Sequence, residues 1–128
     1  MIKIQKKSFN VENEIKIIKN KYNDVGAVST FLGFVRNNNK NQKVKSINIE
    51  VYPEMAKKYL ESIIIKSKKK WKLNDILIIH RFGKLNVNEK IVLVAVFSEH
   101  RGEGIKACTS IMNYLKKDAP FWKKETYN

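Results

Sequence analysis

The sequence is short of several things that would classify a small protein quickly. It has one cysteine, Cys108, so no intramolecular disulfide can form. With only two histidines beside it, a Cys/His zinc cluster is out of reach. Two prolines and five glycines leave no Pro/Gly-rich stretch to divide the chain. Long hydrophobic runs are missing too. The longest, Ile91 to Phe97, is seven residues, where a membrane-spanning helix needs about 20. The first residues, Met1 to Lys7, alternate without a hydrophobic core, so a secretory leader is not expected. Acid is scarce, with 12 Asp and Glu against 26 Lys and Arg, and only three of those 26 are arginine.

What is present suits a single domain over residues 1–128. At 15.0 kDa, surface scaling allows about two-thirds of the unfolded surface to be buried. A composition 43% apolar can fill such a core and argues against intrinsic disorder. The net charge of +14 points to a polyanion. The excess is nearly all lysine, however, and it accompanies 14 Asn and 16 Ile, the residues of A/T-rich codons. Arginines that survive such a bias mark places needing a planar, bidentate fork. They are Arg36, Arg81 and Arg101, and the last two follow the only histidines, His80 and His100.

Periodicity gives the elements. Residues 2–7 alternate as a short strand. Asn10 caps a helix over 11–22 that has Val11, Ile15, Ile18 and Tyr22 on one face. Val25 to Val35 reads as a buried strand, and Asn37 to Lys43 as a polar loop. Val44 to Tyr52 alternates, and Pro53 opens a helix running to residue 70. Strands follow at Asp75 to Phe82 and Lys90 to Ser98, the latter apolar enough to be central. A third helix spans 101–117 with Cys108 in its core pattern, Ala119-Pro120 ends it, and an aromatic-basic tail covers 121–128. The pattern is α+β, with a mostly antiparallel sheet and three main helices.

Three clusters could carry chemistry. Gly33-Phe34-Val35-Arg36 brings an arginine to a strand end, where it can meet an anion. Ser98-Glu99-His100-Arg101-Gly102-Glu103-Gly104 lies where the central strand hands over to the last helix. Free N–H groups and the positive dipole end make that a reasonable phosphate site. Lys116 ends the same helix, and Lys123 lies just beyond Pro120-Phe121-Trp122. A lysine held against apolar walls loses solvation and can act as nucleophile, acid–base group or anion anchor. His100 and Lys116 stand about 24 Å apart along one helix. A single small-molecule site using both would have to be built across a symmetric dimer. His80-Arg81, on a strand entering a turn, is assigned to packing and hydrogen bonding.

These residues resemble the large, catalytic subunit of molybdopterin synthase, the MoaE family. Val25-Gly26-Ala27-Val28 through Gly33-Phe34-Val35-Arg36-Asn37 is similar to its "GAV-x-T-F-x-G-x-VR". Glu50-Val51-Tyr52-Pro53-Glu54-Met55 resembles "E-x-Y-x-x-M". His80-Arg81-Phe82-Gly83-Lys84-Leu85 resembles "HR-x-G-x-L", and Ser98 to Arg101 "S-x-HR". Asn113-Tyr114-Leu115-Lys116 and Pro120-Phe121-Trp122-Lys123-Lys124-Glu125 are similar to "D-Y-L-K" and "P-[IF]-WK-[KR]-E". The match runs in order over about residues 25–125.

The resemblance implies an α/β-hammerhead-like single domain in a homodimer, and the lone cysteine fits a reducing cytoplasmic setting. A small ubiquitin-like sulfur-carrier subunit docks at each end, giving a 2+2 heterotetramer. The carrier's C-terminal Gly-Gly thiocarboxylate enters the large subunit's pocket. Two sulfur transfers to cyclic pyranopterin monophosphate then make the dithiolene of molybdopterin. No metal or dissociable cofactor, nucleic acid or membrane is implied. Carried over by position, Lys116 and Lys123 are the catalytic lysines. Phe34, Val35, Arg36, His100, Arg101, Lys116, Lys123, Lys124 and Glu125 bind substrate. Phe34 stands where many members have a basic residue, and the tail after Glu125 is short for the family. The rival readings are a small basic RNA-binding protein, although no RNA-binding motif is present, and a non-catalytic paralogue.

Overall fold

A computed structural model of the chain describes residues 1–39, 42–117 and 119–127. In chain order the elements are β1 (Ile2–Gln5), α1 (Val11–Lys19), β2 (Ala27–Phe34), β3 (Asn38–Asn39), β4 (Gln42–Val51), α2 (Pro53–Lys70), β5 (Asp75–Arg81), β6 (Gly83–Asn86), β7 (Lys90–Ser98), α3 (Arg101–Lys117) and β8 (Phe121–Tyr127). The expected α+β class holds, with three helices among the described residues. The strands form two sheets rather than one.

The first sheet has the order β1-β5-β7-β2. Its β1–β5 pair is parallel, and β5–β7 and β7–β2 are antiparallel. Apolar layers cover both of its faces. Leu93, Ala95 and Phe97 of β7, with Leu77 and Ile79 of β5, pack with Phe9 and Ile18 of the α1 region. The alternate residues Val92, Val94, Val96, Ile76 and Ile78 pack with Leu60 and Ile63 of α2 and Ala107, Cys108 and Ile111 of α3. Burial on both faces is why residues 91–97 are apolar without alternation. Burial also raises the Cys108 thiol pKa, in keeping with a core role.

The second sheet is built on β4, which pairs antiparallel with β3, β6 and β8. Ile47 and Ile49 turn inward to join the α2/α3 core.

Several expectations change. The α1 helix starts where expected, with Asn10 Oδ1 accepting from the Asn13 N–H at 2.9 Å. It ends at Lys19, one turn early. Tyr22 instead donates its hydroxyl to Asp75 at 2.9 Å. The expected loop at 37–43 contains the β3–β4 pairing, Asn38 opposite Lys43, although residues 40 and 41 lie outside the described residues. The expected tail is strand β8, and β6 was not legible in the pattern. Among the described residues, no helix is long and apolar enough to cross a membrane.

Candidate active site

The site begins at the end of β2. Its pairing with β7 shifts register between Gly33 and Phe34, and such an irregularity re-aims the residues that follow. Val35 is buried and held by the β6–β7 turn: its N–H donates to the Glu89 carbonyl and its own carbonyl accepts from the Asn88 N–H, both at 2.9 Å. The turn is itself pinned. Asn88 takes a left-handed φ of 74°, which asparagine tolerates. The Glu89 carboxylate accepts from the Asn86 N–H at 2.6 Å and from Arg81 at 3.2 Å. These bonds hold its pKa below the usual carboxylate range, the Asn86 N–H first. With Val35 fixed inward, Phe34 and Arg36 on either side of it are exposed.

Phe34, Val35 and Arg36 line a cavity of about 70 Å³ together with Lys123 and Glu125 of β8. A second cavity, of about 800 Å³, is lined by Phe34, His80, Lys116, Phe121 and Lys123 among others. Phe34, Ile91 and Lys123 belong to both walls, so the two spaces adjoin. Lys116 and Lys123 both line the larger cavity. The β4–β8 register explains how. Phe121, Lys123 and Glu125 lie opposite Val51, Ile49 and Ile47, the inward residues of β4, and opposed residues share a face. Lys124 lies opposite exposed Asn48, on the other face of β8, and lines neither cavity.

His100 and Arg101 are not brought to this place. Both are exposed at the start of α3 and line neither cavity. The His100 ring lies 3.7 Å from Glu99. The 17 residues of α3 separate this pair from Lys116 by about 24 Å. The two nearby glycines differ in role. A Cβ on Gly104 would sit 2.6 Å from Ser98 Oγ and 2.9 Å from Ser29 Oγ, so this glycine lets the helix pack on β2 and β7. A Cβ on Gly102 would meet nothing within 4 Å.

His80 and Arg81 are buried, and both pack and hydrogen-bond as expected. The Arg81 fork donates from Nε and Nη2 to the Lys6 carbonyl at 3.1 and 2.9 Å, and from Nη1 to the Lys90 carbonyl at 3.0 Å. His80 points to the opposite face of β5 and lines the lysine cavity, a position that sequence reasoning missed. Its signal was parity: Ile76, Ile78 and His80 share one face of the strand. Burial pushes its pKa down to about 4, against a Nδ1 hydrogen bond to the Arg81 carbonyl and helped by nearby Lys123.

Among the described residues, no group of three or more His, Cys, Asp or Glu side chains could hold a metal ion. Fold and site thus define a small α+β protein with an arginine- and lysine-lined, anion-attracting site at one end of its last helix. The chain belongs to the MoaE protein family, whose model matches residues 4–118. It is 45% identical over 124 residues to the molybdopterin synthase catalytic subunit of Ralstonia nicotianae, covering 97% of this chain and 70% of that one. Among solved structures it resembles molybdopterin synthase from Staphylococcus aureus, with a TM-score of 0.91, 31% identity, and coverage of 98% of this chain and 90% of that one. The molybdopterin biosynthesis MoaE protein from Burkholderia ambifaria superposes with a TM-score of 0.89 at 34% identity, covering 99% and 87%.

Proposed function

We infer that the chain is the catalytic subunit of a molybdopterin synthase, working as a sulfurtransferase in the cytoplasm. Its substrate is cyclic pyranopterin monophosphate, and its sulfur donor is the thiocarboxylated Gly-Gly tail of a small ubiquitin-like carrier. The observation that carries this reading is the convergence of Lys116 and Lys123 on one cavity of about 800 Å³ that adjoins the Arg36 cavity. An arginine fork suits a phosphate. The two ammonium groups suit the carrier's anionic tail and the charge that develops as its C–S bond breaks. Water supplies the oxygen that leaves the carrier as a carboxylate.

His100 and Arg101 serve the same chemistry from the partner subunit of a homodimer. In that arrangement the start of one α3 lies against the end of the other, and the phosphate is held by the helix N-terminus as well as by Arg36. Phe34 lines both cavities, and there supplies an apolar wall rather than a charge.

The test mixes the protein with thiocarboxylated carrier and cyclic pyranopterin monophosphate and assays molybdopterin. Lys116→Ala and Lys123→Ala should each abolish product while the protein stays folded and dimeric. Normal turnover by both variants would overturn the reading.

A further inference from the structure

We propose that His80 is a positioning residue for Lys123, holding the start of β8 in place through its ring stack on Phe121. The proposal rests on reading the lysine cavity as the reaction site.

Several observations meet here. His80 ends the inward-facing row of β5, in the first sheet, whereas Phe121 begins β8, in the second. Their rings stack with centroids 3.7 Å apart and planes 16° from parallel. The pair therefore ties the two sheets together in the wall of the lysine cavity. A backbone carbonyl can only accept, so the 2.9 Å contact from Nδ1 to the Arg81 carbonyl places the ring's proton on Nδ1 and fixes its orientation. Arg81 is in turn locked by Lys6, Lys90 and Glu89. The imidazole thus sits on a rigid mount.

Phe121 also packs against the core cluster that contains Ile47, Ile49 and Ile91. Its N–H donates to the Ala119 carbonyl at 2.8 Å, a local turn, and β8 pairs with β4 along one side. The face-to-face stack on His80 fixes its ring from the first sheet. Lys123 follows two residues later on the same face of β8. A shift of Phe121 would carry the Lys123 ammonium with it. Burial and the nearby Lys123 keep the stacked imidazole uncharged.

The experiment has two arms, run on the full chain with His80→Ala and His80→Phe. The first arm does not depend on the reaction. Acetylation of Lys123 relative to exposed Lys57 is followed by peptide mapping. His80→Ala should shift that ratio severalfold, while His80→Phe, which keeps a flat ring, should leave it near the parent value. The second arm measures turnover with thiocarboxylated carrier. His80→Ala should lower kcat about tenfold or more with KM for the carrier unchanged, and His80→Phe should restore most of it. Should His80→Ala fail to fold, Phe121→Ala removes the stack from the other side and is held to the same outcomes. An unchanged labelling ratio in a folded stack-breaking variant overturns the proposal, as does His80→Phe behaving like His80→Ala. A shifted ratio together with a parent protein that makes no molybdopterin supports the positioning role and removes the function assigned to the cavity.

Discussion

Arg81 grips the backbone carbonyl of Lys6 with two of its nitrogens, Nε at 3.1 Å and Nη2 at 2.9 Å. The guanidinium thereby joins β1, through the residue that follows it, to the end of β5. Its third nitrogen reaches the Lys90 carbonyl and Glu89, so the turn that holds Val35 belongs to the same network. Lysine has the charge but not the fork. Arg81→Lys should cost about 2–4 kcal/mol, because buried carbonyls lose charged partners. Urea unfolding at neutral pH checks this. A midpoint equal to the parent's would show that the fork carries no stability.

His80 gives stability a particular dependence on pH. Its pKa is about 4 in the folded chain against an ordinary 6.5. Burial is the chief cause, and the nearby Lys123 ammonium on β8 adds to it. Between those two values the unfolded chain binds the proton and the folded chain does not. Stability is therefore full above about pH 6.5, falls as pH drops through that window, and is lost below about 4, by about 3 kcal/mol in all. The N-terminal ammonium is also below its ordinary value, chiefly through burial. Unfolding free energies for the parent and His80→Phe between pH 4 and 7 isolate the histidine. The variant's slope should be flatter, and parallel slopes would contradict the assignment.

The two glycines at the start of α3 should behave differently. Gly104→Ala drives a methyl against Ser98 Oγ and Ser29 Oγ. It should cost about 1–3 kcal/mol through overpacking. Gly102→Ala enters open space and should change stability by no more than about 0.5 kcal/mol. Thermal melts of the two variants side by side decide the point, and equal losses would contradict the packing role given to Gly104.

Much of this was legible in the sequence because the cause was local. Residues 91–97 are apolar on every position since α1 covers one side of β7 and α2 with α3 the other. The Asn10 cap and the span of α3 followed from spacing alone. The strand β8 did not show itself. Its inward row is Phe121, Lys123 and Glu125, so beyond Phe121, which packs against the core, the alternation that marks a strand is carried by charged side chains facing a cavity rather than by apolar ones. The strand exists because β4 offers it a partner, a non-local fact. The same non-locality hid His80. Its face was readable from Ile76 and Ile78, but nothing in residues 76–81 shows that Phe121 and Lys123 lie opposite.

The separation of His100 and Arg101 from Lys116 sets up the sharpest test of the shared site. If one site takes Arg101 from one subunit and Lys116 from its partner, Arg101→Ala and Lys116→Ala homodimers each lack a component at both sites. In a mixed dimer the Lys116→Ala subunit supplies an intact Arg101, and the Arg101→Ala subunit an intact Lys116. One of its two sites is then whole and the other doubly defective. Random exchange makes half of the dimers mixed, so about a quarter of parental turnover should return on mixing. A site built within one chain gives every subunit a defect and no recovery. Unfolding and refolding the two variants together, then assaying molybdopterin, distinguishes the cases. Failure to recover activity from dimers shown by tagged pull-down to be mixed would place His100 and Arg101 outside the lysine site.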